Sequence, residues 1–277
     1  MPRDSPSAIP SLRNRSQATF LRPAKCAALT RDAARSKNPA MDQNPAVKHH
    51  PLPPGVTALN LLGVDYWHRK TSDGGDLYAT KFGMPFLEHL QPENWYEPVW
   101  FAHNREKLAG SSTVYKVATK RLHDRQLDIV VKWCRVGEQV PFDTLTLNKF
   151  AEAEFNSPYE EFALVMEMRN CKNPGIIRTH KPLAIYVPAE RLQLWQTDRH
   201  ESKMAQKKAR HRDVELDIYR QYILIYEWIK GAAIVEKLQE TEIAREQYPE
   251  IMAQITGKAI AELATRGFRV VDMKPAH

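Results

Sequence analysis

The steadiest alternation of hydrophobic and polar positions begins near residue 113. Thr113-Val114-Tyr115-Lys116-Val117 alternates as a half-buried strand does, and Asp128-Ile129-Val130-Val131-Lys132-Trp133-Cys134 is a β-branched run. The polar stretch 120–126 between them suits a hairpin. Pro158 opens a predicted helix, because its fixed φ is at home in a first turn, and Glu160 and Glu161 suit the positive end of the helix dipole. Phe162, Val165, Met166 and Arg169 keep the i, i+3, i+4, i+7 spacing of one helical face. Strand-like segments return at 183–187, 192–195 and 222–229. Past Gly231 the pattern predicts a long helix through Arg266, with Ile251, Ile255, Ala259 and Leu263 on one face and Gly267 as its stop.

Before residue 105 the pattern is weaker. Residues 56–104 mix aromatics (Tyr66, Trp67, Trp95, Tyr96, Trp100, Phe101) with the turn sequence Asp73-Gly74-Gly75-Asp76. We expect an ordered but irregular lead-in that packs on the unit after it. Residues 1–55 are rich in Pro, Ser, Arg and Ala without a sustained period, and are expected to be disordered. Their Arg-rich start fits a mitochondrial presequence except for its prolines, which oppose an amphipathic helix. Translation from Met41 is the other account of this tail.

Composition narrows the class. With 277 residues the chain is long enough for one large domain or two smaller ones, and 43% hydrophobic content excludes wholesale disorder. No apolar run approaches the roughly 18 residues that span a bilayer, so no membrane partner is expected. Cys26, Cys134 and Cys171 are too few and scattered for a disulfide framework or a zinc knuckle, which fits a reducing, cytoplasmic setting. Neither Gly-x-Ser-x-Gly nor His-Glu-x-x-His occurs, so hydrolase chemistry lacks a nucleophile or a metal motif. His49-His50, beside Pro51, reads as solvated tail.

The formal charge of +7 is regional. Residues 1–40 carry +6 and residues 199–212 carry +5 (Arg199, Lys203, Lys207, Lys208, Arg210 and Arg212 against Glu201), leaving −4 for the remainder. The basic segment 199–212 is expected as an exposed loop or short helix inserted between strands. A mildly acidic body argues against a nucleic-acid partner.

Strand, turn, strand ending in lysine, helix with glutamates, buried strand, glycine, long helix and Asp-x-Lys-Pro follow one another in that order. Over residues 105–277 the chain resembles the protein kinase-like family. The resemblance implies an α+β fold: a small lobe of antiparallel sheet plus one helix over 105–231, carrying the basic insertion 199–212, and the start of a large lobe over 232–277. The run 108–117 is similar to the family's glycine-rich nucleotide loop, where small residues let backbone N–H groups approach phosphates. Ala109, Gly110, Ser111, Ser112 and Val114 would line that approach, although Ala109 and Ser112 stand where the family has glycine.

Ile129-Val130-Val131-Lys132 looks like the family's Val-Ala-Ile-Lys strand, whose lysine pairs with phosphates and with a helix glutamate. Alternation puts Lys132 on the face of Val130, inward if it has a buried partner and outward if it is a surface lysine. Glu161 is the favoured partner, with Glu160 and Glu167 as rivals. The 29-residue gap from Lys132 implies an insertion around 137–157. Residues 222–231 are similar to the fifth strand and hinge, which makes Tyr226 the gatekeeper and gives the main chain of Glu227 and Ile229 the adenine edge. Residues 266–275 resemble the catalytic loop, with Asp272 as base and Lys274 as phosphate contact. Val270 and Val271 replace the usual His-Arg. His277 stands at the metal-binding Asn position and is the candidate metal ligand: a neutral imidazole can ligate a cation, although it is a poor match for oxygen-loving Mg²⁺.

The expected ligands are therefore ATP and Mg²⁺, with Ser/Thr phosphotransfer as the activity of the complete domain and an unidentified protein as its substrate. The Asp-Phe-Gly motif and the remaining large-lobe helices would lie after residue 277. The chain accordingly reads as a truncated or split form whose partner is a complementary large-lobe polypeptide, with the apolar face of helix 247–266 exposed. Two alternatives stand beside this reading. One is a non-catalytic pseudokinase or nucleotide-binding module, and the other a nucleic-acid-binding protein using the basic tail and the 199–212 segment.

Overall fold

The computed structural model describes residues 20–21, 52–108, 113–139, 154–170, 175 and 177–270. Within them the chain is an α+β protein built on one eight-stranded antiparallel sheet. A separate pairing joins β1 (Phe20–Leu21) to β10 (Arg269–Val270). The main sheet holds β2 (Val56–Leu61), β3 (Val64–Lys70), β4 (Asp76–Ala79), β5 (Arg105–Lys107), β6 (Val114–Ala118), β7 (Asp128–Trp133), β8 (Pro182–Val187) and β9 (Ile223–Glu227). Its spatial order is β2-β3-β4-β8-β9-β7-β6-β5. The helices are α1 (Pro98–Asn104), α2 (Pro158–Arg169), α3 (Leu194–Thr197), α4 (Glu201–Arg210), α5 (Ile234–Gln239) and α6 (Tyr248–Thr265).

Both faces of the sheet are covered, and the residue pattern explains which side chain goes where. The central strands β8 and β9 are nearly continuous apolar runs, as strands buried on both sides must be. In β7 the period of two sends Ile129 and Val131 to one core cluster and Val130 to the other. On the Val130 side lies α2. Ser157 caps it by accepting from the Glu160 N–H, while Glu160 accepts from the Ser157 N–H, a reciprocal capping box that stabilises by about 1 kcal/mol. Phe162 and Met166 of α2 are buried against the sheet, each apolar side chain contributing about 1.5–3 kcal/mol of transfer free energy.

The opposite face is covered by residues 80–104. Thr80 N–H donates to the Leu183 carbonyl at 2.8 Å, and Gly83 comes so close to that carbonyl that any Cβ would collide with it. Trp95 is fully buried, with its indole N–H donating to the Leu90 carbonyl at 2.9 Å. Trp100 likewise donates to Ala118 at 2.8 Å. Aromatic side chains thus fill the layer while their polar tips find backbone partners.

Several expectations change. The lead-in 56–104 does pack on the following unit, but it is not irregular: β2, β3 and β4 are three strands of the same sheet, joined to β8 through β4. The tight turn between β2 and β3 is made by Leu62 and Gly63, both at positive φ, and leucine there hides the usual Asn-Gly or Asp-Gly signature. Residues 20–21 of the tail expected to be disordered form β1. Segment 192–195 is not a strand; the short helix α3 begins at Leu194, and Trp195 is exposed. The single long helix after Gly231 is two, α5 and α6, separated by a 3₁₀ turn at Arg245–Gln247, with Pro249 in the first turn of α6. Leu263 of α6 is buried with Met168 and Phe268, whereas Ile255 and Ile260 are exposed.

Candidate functional site

Lys132 projects from the penultimate position of β7 to the α2 side of the sheet, and Glu161 projects toward it from the first turn of α2. The ammonium donates to both carboxylate oxygens, at 2.7 and 2.8 Å, and the side chains remain 30% and 20% exposed. Of the three glutamates considered for Lys132, Glu161 is therefore the one in contact. Tyr226, from β9, is buried and donates its hydroxyl to the same Glu161 oxygen at 2.7 Å. Desolvation raises the Tyr226 pKa well above the ordinary tyrosine value, and the nearby Glu161 charge adds to it. Tyr226 is thus held as a donor, so one carboxylate accepts from a lysine and a phenol at once.

These three groups line a cavity of about 370 Å³ whose walls include Val114 and Val130. Val114 follows the turn between β5 and β6, closed by the Leu108 N–H donating to the Val114 carbonyl at 3.0 Å. The other expected phosphate-loop residues Ala109, Gly110, Ser111 and Ser112 lie outside the described residues, as do Asp272, Lys274 and His277. The cavity also has walls that sequence reasoning missed: Val165 and Met168 from α2, and Arg178, Thr179 and His180 from the segment entering β8. The i, i+3 spacing of Val165 and Met168 was available in the sequence, but nothing local marks 178–180.

The hinge positions differ from expectation. The Glu227 N–H donates to the Lys181 carbonyl at 3.0 Å, and the Glu227 carbonyl accepts from His180 Nδ1 at 3.0 Å. Both main-chain groups of Glu227, one of the two residues expected to face an adenine, are engaged by residues 180–181. Ile229, the other expected contact, is exposed and lines a second cavity beside the first.

The basic segment forms the short helix expected of it, α4, and Lys208, Arg210 and Arg212 are exposed, but two of its cations are buried. Lys207 is buried, with Nζ 2.8 Å from Glu154 and 2.9 Å from Glu160; Arg210 also pairs with Glu154, and His211 Nε2 lies 2.7 Å from Glu160. Arg199 is buried too, donating to the carbonyls of Ile218 and Arg220. Burial would raise the Glu160 pKa, but Lys207, the Ser157 N–H and His211 outweigh it and hold the carboxyl below its ordinary range. Glu160 therefore ties the first turn of α2 to α4, and the next residue, Glu161, ties it to Lys132 of β7.

Cys134, at the end of β7, is buried, and desolvation pushes its thiol up to about 12, so it is no nucleophile. Among the described residues no group of three or more His, Cys, Asp or Glu could hold a metal ion, and no helix is long and apolar enough to cross a membrane. No family model matches the chain, and neither does any curated protein or solved structure.

Proposed function

We propose that residues 105–270 form the small lobe and the first large-lobe helices of a protein kinase-like ATP-binding domain, with Ser/Thr phosphotransfer as the activity of the complete domain. The observation that carries this reading is the two-point Lys132–Glu161 contact at the wall of a cavity beside the β5–β6 turn. A lysine and a glutamate on an inward face contribute little net stability over apolar residues of the same shape, which favours a binding role for the pair. Lys132 contacts the α/β-phosphates, and Glu161 aims it. Val114 and Val130 supply the apolar walls for the base. Bound Mg²⁺ would neutralise charge on the phosphates; its ligands and the base Asp272 would come from residues outside those described, so no step is assigned to the described part beyond binding and orientation.

Titration of the chain with ATP, with and without Mg²⁺, tests this reading through thermal stabilisation. Binding that grows with ligand concentration and weakens at least tenfold in Lys132→Met is the expected result. Saturable binding indifferent to Lys132→Met would overturn it.

A nucleotide-binding module without transfer is the second reading. The bond from His180 to the Glu227 carbonyl bears on both, because it occupies a main-chain acceptor that the resemblance assigns to the base. Transfer of the γ-phosphate to a generic protein substrate separates the two. Nucleic-acid binding through 199–212 is disfavoured by the internal bonding of Arg199, Lys207 and Arg210.

A further inference from the structure

A second cavity, of about 480 Å³, adjoins the first and shares Met168, Arg178 and Thr179 with it. Its four cations come from three places in the chain: Arg169 at the end of α2, Arg178 and Lys181 before β8, and Arg266 after α6. Glu227 is the one carboxylate among the described lining residues, and it pairs with Lys181 at 2.8 Å. Arg266 pairs with Glu262. Neither Arg169 nor Arg178 has a carboxylate partner among the described residues. Arg169 donates to the Thr179 carbonyl, yet its Nε is buried with no partner. The Arg178 side chain makes no hydrogen bond or ion pair with any described residue.

Two positive charges in excess, on planar guanidinium forks that match phosphate oxygens, make this an anion site of defined chemistry. We propose that this cavity binds a phosphate-bearing small anion through Arg169 and Arg178, a role separate from the contact assigned to Lys132. The volume admits a phosphate, a pyrophosphate or a phosphorylated small molecule, whereas a nucleic-acid duplex is far too large. The shared wall at Arg178 places such an anion next to the Lys132–Glu161 cavity. The proposal does not depend on the nucleotide reading.

Calorimetric titration of the full chain with inorganic pyrophosphate is the test. Saturable binding is expected, at least tenfold weaker in Arg178→Glu and unchanged in Lys132→Met. Arg178 is exposed and makes no bond to a described residue, so Arg178→Glu should keep the wild-type melting temperature and circular dichroism. A parallel titration with ATP distinguishes the source of the phosphate. ATP that displaces pyrophosphate and is itself weakened by Arg178→Glu marks the nucleotide's own phosphates as occupant; pyrophosphate that still binds beside ATP marks a separate ligand. Pyrophosphate binding without any ATP binding would leave this site standing and remove the nucleotide reading. Absence of saturable pyrophosphate binding, or loss in Lys132→Met with none in Arg178→Glu, overturns the proposal.

Discussion

Lys132 and Glu161 are separated by 29 residues and by the segment between β7 and α2, yet the ammonium lies 2.7 and 2.8 Å from the two carboxylate oxygens. The contact fixes the first turn of α2 over β7. At 30% and 20% exposure the pair lies between a surface ion pair, worth about 0–1 kcal/mol, and a buried one, whose disruption costs about 3–5 kcal/mol. Glu161→Gln is therefore expected to lower unfolding free energy by about 1–3 kcal/mol in urea denaturation. Lys132→Met combined with Glu161→Leu should cost less than the two single changes added together. Strict additivity would mean that the pair is not coupled.

Tyr226 shares the Glu161 carboxylate, so its hydroxyl and its ring can be tested apart. Tyr226→Phe removes one donor and should cost about 1 kcal/mol. Tyr226→Ala removes the ring as well and should cost about 3–5 kcal/mol, because the ring packs on Phe162 with centroids 5.2 Å apart. A double-mutant cycle between Tyr226→Phe and Glu161→Gln should give a coupling of about 0.5–3 kcal/mol. A coupling near zero would show that the hydroxyl and carboxylate act independently.

The elements that carry Lys132 and Glu161 were legible in the residue pattern, whereas the pairing of Lys132 with Glu161 came from the family resemblance. The alternation through Val130 and Lys132 put both on one face, and Pro158 with two following glutamates marked the start of the helix that brings Glu161 to it. Three things were not legible. The β2–β3 hairpin escaped because its turn uses leucine at positive φ. The break between α5 and α6 escaped because apolar spacing continues on either side of it. Arg199 and Lys207 escaped because a run of basic residues reads as solvated, while the partner acids of Lys207, Glu154 and Glu160, lie 53 and 47 residues earlier. Long-range charge pairing leaves no local mark in a sequence. The catalytic-loop positions Asp272 and Lys274 lie outside the described residues.

Cys134 offers a test of burial that needs no ligand. Its thiol, pushed up to about 12 by desolvation, stays protonated at pH 8 and lacks solvent access. Alkylation with iodoacetamide followed by peptide mapping should leave Cys134 unmodified in the native protein and label it fully in denaturant. Rapid native labelling of Cys134 would place the end of β7 at the surface.

Lys207 is a buried cation of the basic segment held between two carboxylates. Truncating it leaves Glu154 and Glu160 without their buried counter-ion, so Lys207→Ala should destabilise by about 3–5 kcal/mol. Placing Lys207→Met in a background with Glu154→Gln and Glu160→Gln should recover a large part of that loss, because no buried carboxylate is then left without its counter-ion, and Arg210 and His211, which lose their partners, reach solvent. By contrast Lys208→Ala, one residue along on the exposed face, should change stability by less than about 0.5 kcal/mol. Equal effects at 207 and 208 would contradict the burial of Lys207.

The same cluster sets a pH dependence whose sign follows from Glu160. Its folded pKa lies below the ordinary carboxylate value of about 4.3, so the folded state holds its proton less tightly than the unfolded chain does. The resulting stabilisation is fully present above about pH 5 and is lost as pH falls through the depressed folded value. Asp76 acts in the same direction, because Lys70 and His68 outweigh the burial that would raise it. Melting temperature should therefore fall between pH 5 and pH 3. Glu160→Gln should melt lower than wild type at pH 7 and show a shallower fall, since glutamine has no proton to take up. A steeper acid-side fall in Glu160→Gln would mean that Glu160 is not held as an anion by Lys207 and its neighbours, and that α2 is tied to α4 by packing alone.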